Sequence, residues 1–317
     1  MTPAVRTRNR AHFGRISDVD IRLIRIFRSV VACGGLSAAE SELNIRRSTI
    51  SRHLSDLETR LGVRLCVRGR GGFALTTDGE RIYEASTRLL SAIDIFQSDV
   101  VNTREDLRGH LVIGIFDNIA TNPKAHFAKA IAAFDSTAPD VTLEIHVAPT
   151  YEVENGVLNG RFHLGVIPTQ RQVSSLVYHQ LFDEQMFLYV GKEHAMFEAD
   201  DAVIAESKYA GIGFASPNMD VSTALKLQRS ADVFDQEALA LLILSGRYIG
   251  FLPDHYAGVF VDQGQMREVA PDKYNYISPF WAVTQNYSQP PRLIQTFVEC
   301  LAEAHGITVS SEPDEAS

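Results

Sequence analysis

Groups that hold phosphate and read base edges are concentrated between Ser37 and Arg70. Arg46, Arg47, Ser48, Thr49, Arg52 and His53 stand close together, Ser37 precedes them, and Arg68 and Arg70 follow in a glycine-rich turn. A guanidinium offers paired N–H donors to a phosphate or to one edge of guanine. A hydroxyl adds a single adaptable bond. That chemistry needs a narrow support, and the spacing provides one. Ile50, Leu54, Leu57 and Leu61 recur at four, three and four residues, one face of a helix, with Ser48, Arg52, Ser55 and Thr59 opposite. A shorter helix before it, broken at Asn44, completes a helix-turn-helix suited to a DNA groove.

The flanking elements must position that pair. Ser17-Asp18-Val19-Asp20 predicts the capped start of a helix carrying Ile21, Ile24, Phe27 and Val31, which Gly34-Gly35 ends. Ser37-Ala38-Ala39-Glu40 reads as a capping box opening the second helix, and Gly62 closes the third. Val63 to Thr76 holds two β-prone runs around the arginine-rich turn, which predicts a hairpin wing with Arg68 and Arg70 at its tip; the alternative is a solvated turn. Thr77-Asp78-Gly79-Glu80 reads as another capping box. The helix it opens sets Ile82, Ser86, Leu89, Ile93, Phe96 and Val100 in a heptad seam, to be buried against a second copy or against the chain's own body.

Charge divides the 317 residues in the same way. Residues 1–79 carry 14 arginines, no lysine and seven acidic groups, while residues 80–317 carry 16 basic and 32 acidic groups. A basic front, with Arg6, Arg8, Arg10 and Arg15 in a flexible tail, joined to an acidic body suggests a nucleic-acid module on a sensing or catalytic domain. Cys33, Cys66 and Cys300 are scattered, without metal-ligand or disulfide spacing, which fits a reducing cytoplasm. No apolar run has membrane-spanning length, so no membrane partner is expected. Neither a nucleophile elbow, a phosphate loop nor a zinc motif occurs, and the ten histidines, His53, His163 and His255 among them, are dispersed. No enzyme activity and no cofactor are expected.

The body alternates strand and helix signals from Leu111-Val112-Ile113-Gly114-Ile115 to the final helix at Pro291 to Ala304, which predicts an α/β fold with mostly parallel sheets. Ligands in such folds bind beyond the carboxyl ends of the strands. That rule selects Asp117, Asn118 and Thr121 after the first strand, Thr150 after the second, Pro168 and Thr169 after the third, and Ser216 and Phe251 further on. A helix start near Thr121 would favour an anionic group, and Asp117 would oppose one.

The run Leu43 to Gly79 resembles the winged helix-turn-helix of LysR-type transcriptional regulators, through Ser51-x-x-Leu54-x-x-Leu57-Glu58-x-x-Leu61-Gly62-x-x-Leu65 and Leu75-Thr76-x-x-Gly79. Arg46-Arg47-Ser48 stands where the family opens its recognition helix on Ser-Gln, and Cys66 where it has Phe. Gly160 to Ile167 and Gly246 to Pro253 resemble two runs of the family's effector domain, with His163 in place of Asp. The resemblance implies a multidomain chain: an all-α winged helix-turn-helix (18–77) after a basic tail (1–17), a long linker and dimerisation helix (78–106), and an effector-binding domain of periplasmic-binding-protein-like fold (109–309). That domain would divide into subdomain I, about 109–180 and 279–309, and subdomain II, about 181–278, before an acidic tail (310–317). It also implies double-stranded DNA, a small-molecule effector, a homodimer or homotetramer, and RNA polymerase as partners. The alternative is an α/β binding protein or enzyme with an incidental basic front.

Overall fold

The computed structural model describes residues 14–69, 72–101, 107–198, 204–213 and 217–307, in two compact units divided near Asp94. The first unit begins with α1 (Asp18–Ala32), α2 (Leu36–Leu43) and α3 (Arg47–Leu61). α1 buries Leu23, Ile24, Ile26, Phe27 and Val30, and α3 answers with Ile50, Leu54 and Leu57. Asn44 takes the left-handed conformation at φ 51°, as the tight turn between α2 and α3 requires. Gly62 ends α3 in the same way.

Two caps differ from expectation. α2 begins at Leu36 with Gly35 as its cap, so Ser37 lies inside the first turn rather than at its entrance. Gly35 sits at φ 150°, where a side chain would be strained, and that geometry fixes the start. The long helix α4 (Thr77–Val101) is capped by Thr76, whose hydroxyl accepts the Gly79 amide at 2.9 Å. Between α3 and α4, β1 (Cys66–Gly69) and β2 (Gly72–Leu75) form an antiparallel hairpin. On α4, Ile82, Leu89 and Ile93 pack on the helix-turn-helix core while Ser86 and Leu90 are buried. Phe96 and Val100 are 67 % and 54 % exposed, so the apolar seam is covered in its first half and bare in its second.

The second unit opens with β3 (Arg108–Ile115), α5 (Phe127–Thr137), β4 (Asp140–Val147), α6 (Thr150–Leu158) and β5 (Leu164–Pro168). β3 pairs in parallel with β4 and β5. Residues Ile119–Thr121 form a short 3-10 turn, and α5 starts later, at Phe127, so there is no helix start at Thr121. β6 (Leu176–Gly191) then leads into β7 (Lys208–Ile212), α7 (Pro217–Ala224), β8 (Gln228–Val233), α8 (Gln236–Leu244), β9 (Ile249–Pro253), α9 (Asp254–Asp262) and β10 (Met266–Glu268). The chain returns through β11 (Asn275–Gln285) to α10 (Arg292–His305).

Among the described residues these strands make one sheet in the order β4-β3-β5-β11-β6-β9-β7-β8, with β10 beside β6. It is mixed rather than mostly parallel, because β11 runs antiparallel to both β5 and β6, and β6 runs antiparallel to β9. Two parallel clusters, β3-β4-β5 and β7-β8-β9, are thus joined by two long strands that cross between them. α10 returns to the first cluster, where Phe297 meets Phe127 and Phe134 edge-on at 5.9 and 5.2 Å.

Packing is close between β3 and α6. Phe162 is 1 % exposed and lies against Gly114 of β3, where an added Cβ would come within 2.6 Å of the ring and 2.9 Å of Val153. We expect Gly114→Ala to destabilise the second unit by about 1–3 kcal/mol through overpacking, read as a lower urea midpoint. An unchanged midpoint would show that the Phe162 pocket gives way freely.

Candidate functional site

The first unit presents Arg46, Arg47, Ser48, Thr49 and Arg52 exposed at the start of α3. Among the described residues none of the three arginines makes an ion pair, so their donors face solvent. His53 is half-buried and Ser37 is exposed on α2. Ser55 and Thr59 donate to carbonyls of their own helix, at 3.0 and 2.8 Å, while the exposed arginines Arg46, Arg47 and Arg52 lie at the start and in the amino-terminal half of α3. Arg70 lies outside the described residues, as do the side chain of Arg68 and the tail residues 1–13 and 310–317.

Carboxylates set the pose of α3. Asp20 of α1 is 1 % exposed and bonds Arg60 of α3 at 2.5 and 2.9 Å, while also accepting from the Ser17 amide and hydroxyl. The Arg60 guanidinium and the Ser17 hydroxyl hold its pKa well below the usual carboxylate range. Glu58 accepts the Leu65 and Cys66 amides at 2.9 and 3.1 Å, which fixes the wing's first strand to the reading helix.

In the second unit, the carboxyl ends of the two parallel clusters meet. Asp117 follows β3, and its Oδ2 accepts the Gln236 amide at the start of α8, at 2.6 Å. Asn118 donates to Asp117 at 3.2 Å and to the Gln236 side chain at 3.1 Å. A second chain of bonds runs from Thr121 to His255 (2.9 Å) and from His255 to Glu184 (2.8 Å), and Asn122 donates to the same Glu184 oxygen at 3.3 Å. Glu184 and His255 are both almost wholly buried. They line a hollow of about 270 Å³ with Asp183, Asp254 and Lys124. Burial of the Asp117 carboxylate, with Asp235 and Glu184 nearby, pushes its pKa up to about 7, against the pull of the Gln236 amide.

The strand-end rule therefore brings Asp117, Asn118 and Thr121 into one polar group, and scatters the other candidates. Thr150 is buried at the start of α6, its hydroxyl without a partner. Pro168 ends β5, and the Thr169 hydroxyl is occupied within its own loop by Arg171. Phe251 is fully enclosed between Tyr209 and Tyr276 in the core. Ser216 lies outside the described residues. His163 is also a core residue. Its Nδ1 accepts the Val112 amide at 3.1 Å, and burial pushes its pKa down to about 4.

Gln236, Glu184 and Asn122 were not singled out as site residues in the sequence, and His255 was set aside there as one of the dispersed histidines. The strand-end rule, applied to Pro253, would have reached His255. Glu184 stands inside a long strand and carries no local signal at all.

Family models describe both units. The model for the "LysR substrate binding domain" matches residues 104–306, and that for the "Bacterial regulatory helix-turn-helix protein, lysR family" matches residues 21–80. The chain is 40 % identical over 294 residues to the HTH-type transcriptional activator BauR of Pseudomonas aeruginosa, covering 91 % of this chain and 96 % of that one. Its fold is similar to the LysR family transcriptional regulator CbnR, with a TM-score of 0.64 at 18 % identity over 90 % of this chain and 99 % of that one. CbnR bound to its target DNA scores 0.62 at the same identity and coverage. A full-length OxyR variant from Pseudomonas aeruginosa scores 0.60 at 16 % identity, covering 95 % of this chain and all of that one.

The pKa of Asp117 gives a test of its burial. Folded, it keeps its proton to about pH 7, whereas an unfolded aspartate loses it near 4. The folded state thus binds the extra proton between those values, and stability falls as pH rises through that window. Asp117→Asn removes this slope. At pH 8 the variant is expected to be more stable than wild type, by on the order of 1–3 kcal/mol, with the gap closing toward pH 4 in denaturant titrations. Parallel pH profiles for the two proteins would contradict the buried carboxylate.

Proposed function

This chain belongs to the LysR family of bacterial helix-turn-helix regulators, a DNA-binding transcription factor responsive to a small-molecule effector and not an enzyme; we propose that Arg46, Arg47, Ser48, Thr49 and Arg52 are its principal DNA contacts. What carries this assignment is the exposure of three arginines, free of ion pairs, at the start of a helix whose pose is fixed by Asp20 and Glu58. Arginines left uncompensated beside short hydroxyl side chains match phosphate and guanine edges. Arg68 and Arg70 serve the wing, and Ser37 and His53 flank the reading face.

Asp117, Asn118, Thr121, Thr150, Pro168, Thr169, Ser216 and Phe251 were the sequence-based candidates for the effector site. We place the effector on Asp117, Asn118, Thr121 and Thr150, with Gln236, Glu184 and His255 added. The two polar chains between the strand clusters support that placement, since a ligand there would touch both. Members of the family form oligomers, and we assign this chain a homodimer or homotetramer built in part on the bare end of α4, where Phe96 and Val100 are exposed. No described helix is long and apolar enough to cross a membrane. Reading chromosomal DNA puts the protein in the cytoplasm. The designation of the relative BauR as an activator supports RNA polymerase as a further partner.

The arginines are tested by mobility shift on a duplex selected from a random pool. Arg52→Ala is expected to cost about 1–3 kcal/mol and to relax base preference at one position. Each arginine that meets only phosphate should, on removal, flatten the logarithmic salt slope by about one unit. Binding at wild-type strength by the Arg47→Ala/Arg52→Ala double variant would sink the assignment.

A further inference from the structure

We infer that the effector carries a protonated amine, bound by the Asp117 carboxylate where the two strand clusters meet. The inference deepens the effector-gated reading above and rests on it.

Asp117 is a carboxylate with half its bonding capacity unused. Oδ2 takes the Gln236 amide and the Asn118 side chain, while Oδ1 is buried and has no partner among the described residues. The cross-cluster bond to Gln236 does not require the charge, because an asparagine oxygen would accept the same amide without repulsion from Asp235 and Glu184. The charge therefore carries an electrostatic cost with no return inside the protein. A cation that donates N–H to Oδ1 supplies the missing bond and offsets that repulsion together.

The surroundings discriminate against an anion. In the neighbouring hollow, which Asp117 does not itself line, the carboxylates Asp183, Glu184 and Asp254 outnumber Lys124, whose Nζ lies 3.4 Å from the Asp183 carbonyl, and His255, which bonds Glu184. Glu184 takes His255 and Asn122 on one oxygen, Oε1, whereas Asp117 Oδ1 is a carboxylate oxygen that is enclosed and without a partner among the described residues. A second, independent orphan lies at the same end of the sheet. Thr150 is 5 % exposed, and its Oγ1 is buried without a partner. It follows β4, which runs parallel to β3 with Ile115 beside Val147, and the Ala148 amide extends that ladder to the Ile115 carbonyl. Two buried polar atoms without partners, at the ends of adjacent strands, are what an unfilled ligand site leaves behind. The Thr150 hydroxyl can meet a second polar group on the same ligand.

The test uses the full-length protein and three probes of equal chain length: butylammonium, 4-aminobutyrate and butyrate. Calorimetric titration at pH 8 is expected to show binding of the amines and none of butyrate. Asp117→Asn should weaken amine binding by about tenfold or more. Amine affinity in the wild type should also fall from pH 8 to pH 6, as Asp117 takes up its proton, and the variant should lose that dependence. Glu184, Asp235, Tyr256 and His255 are common to both proteins, so the difference between the two profiles isolates Asp117. The inference is overturned if butyrate binds as tightly as the amines, if Asp117→Asn binds them unchanged, or if no amine binds up to about 10 mM. The titration contains no DNA, so a failure of duplex binding, which would overturn the regulatory reading, is seen separately by mobility shift.

Discussion

The antiparallel pairing of β6 and β11 is the constraint on which the second unit depends. Leu176 to Phe187 runs beside Gln285 to Asn275, with one register shift at Phe280/Trp281. The same two strands carry the neighbours on either side: β11 pairs with β5 of the first cluster, and β6 pairs with β9 of the second. Each cluster has its own parallel strands and covering helices, but their connection runs through this pair. Any rearrangement of one cluster against the other must bend β6 and β11, because a hydrogen-bonded ladder resists slipping more than twisting. Glu184 sits on β6 within that pairing, so the polar chain from Thr121 through His255 ends on the shared strand itself. A ligand bonded to Asp117 and to groups across from it would therefore bias the arrangement of the two clusters by its differential contact with each.

The first unit solves a different problem, which is to keep a polar helix face rigid while exposing it. Apolar packing of α1 on α3 sets the distance between the helices, and a carboxylate at 1 % exposure sets the register. Asp20 ties the amino-terminal turn of α1 to the last turn of α3 through Arg60, and Glu58, two residues earlier, ties α3 to the wing. Both clamps use the carboxyl-terminal end of the helix, so the amino-terminal end, with arginines that make no ion pair among the described residues, is left exposed. Charge is divided by position: the arginine paired with Asp20 holds the fold, and the arginines at the start of α3 face solvent.

In the acidic second unit the same division applies with the opposite sign. Most of its exposed carboxylates need no explanation beyond solvation. Asp117 differs because it is half-buried with Oδ1 enclosed, bonded on the other oxygen and crowded by Asp235 and Glu184. His163 shows the contrasting outcome, a buried titratable group fully used by the backbone of Val112 and therefore neutral and structural.

The sequence by itself determined the helix-turn-helix, the wing, the long helix and the αβ alternation. Each rests on local periodicity or on a glycine at a left-handed position, and both are properties of neighbouring residues. It misplaced two caps, Ser37 by two residues from Gly35 and Thr77 by one from Thr76, because a hydroxyl three residues before an acid marks a helix start only when the backbone before it permits one. The strand-end rule selected Asp117, Asn118 and Thr121, which the structure brings into one polar group. Crossing strands were implied only by the resemblance to the family's effector domain; strand periodicity did not reveal that β6 and β11 pair, since antiparallel pairing between strands so far apart in the chain leaves no trace in either strand alone. Only the tertiary structure brought Gln236, His255 and Glu184 to those residues, left one oxygen of Asp117 without a partner, and enclosed Phe251 in the core. Burial and partnership at a site are decided by segments that meet only after folding, and that is why the chemistry of the effector site was less legible than the reading head.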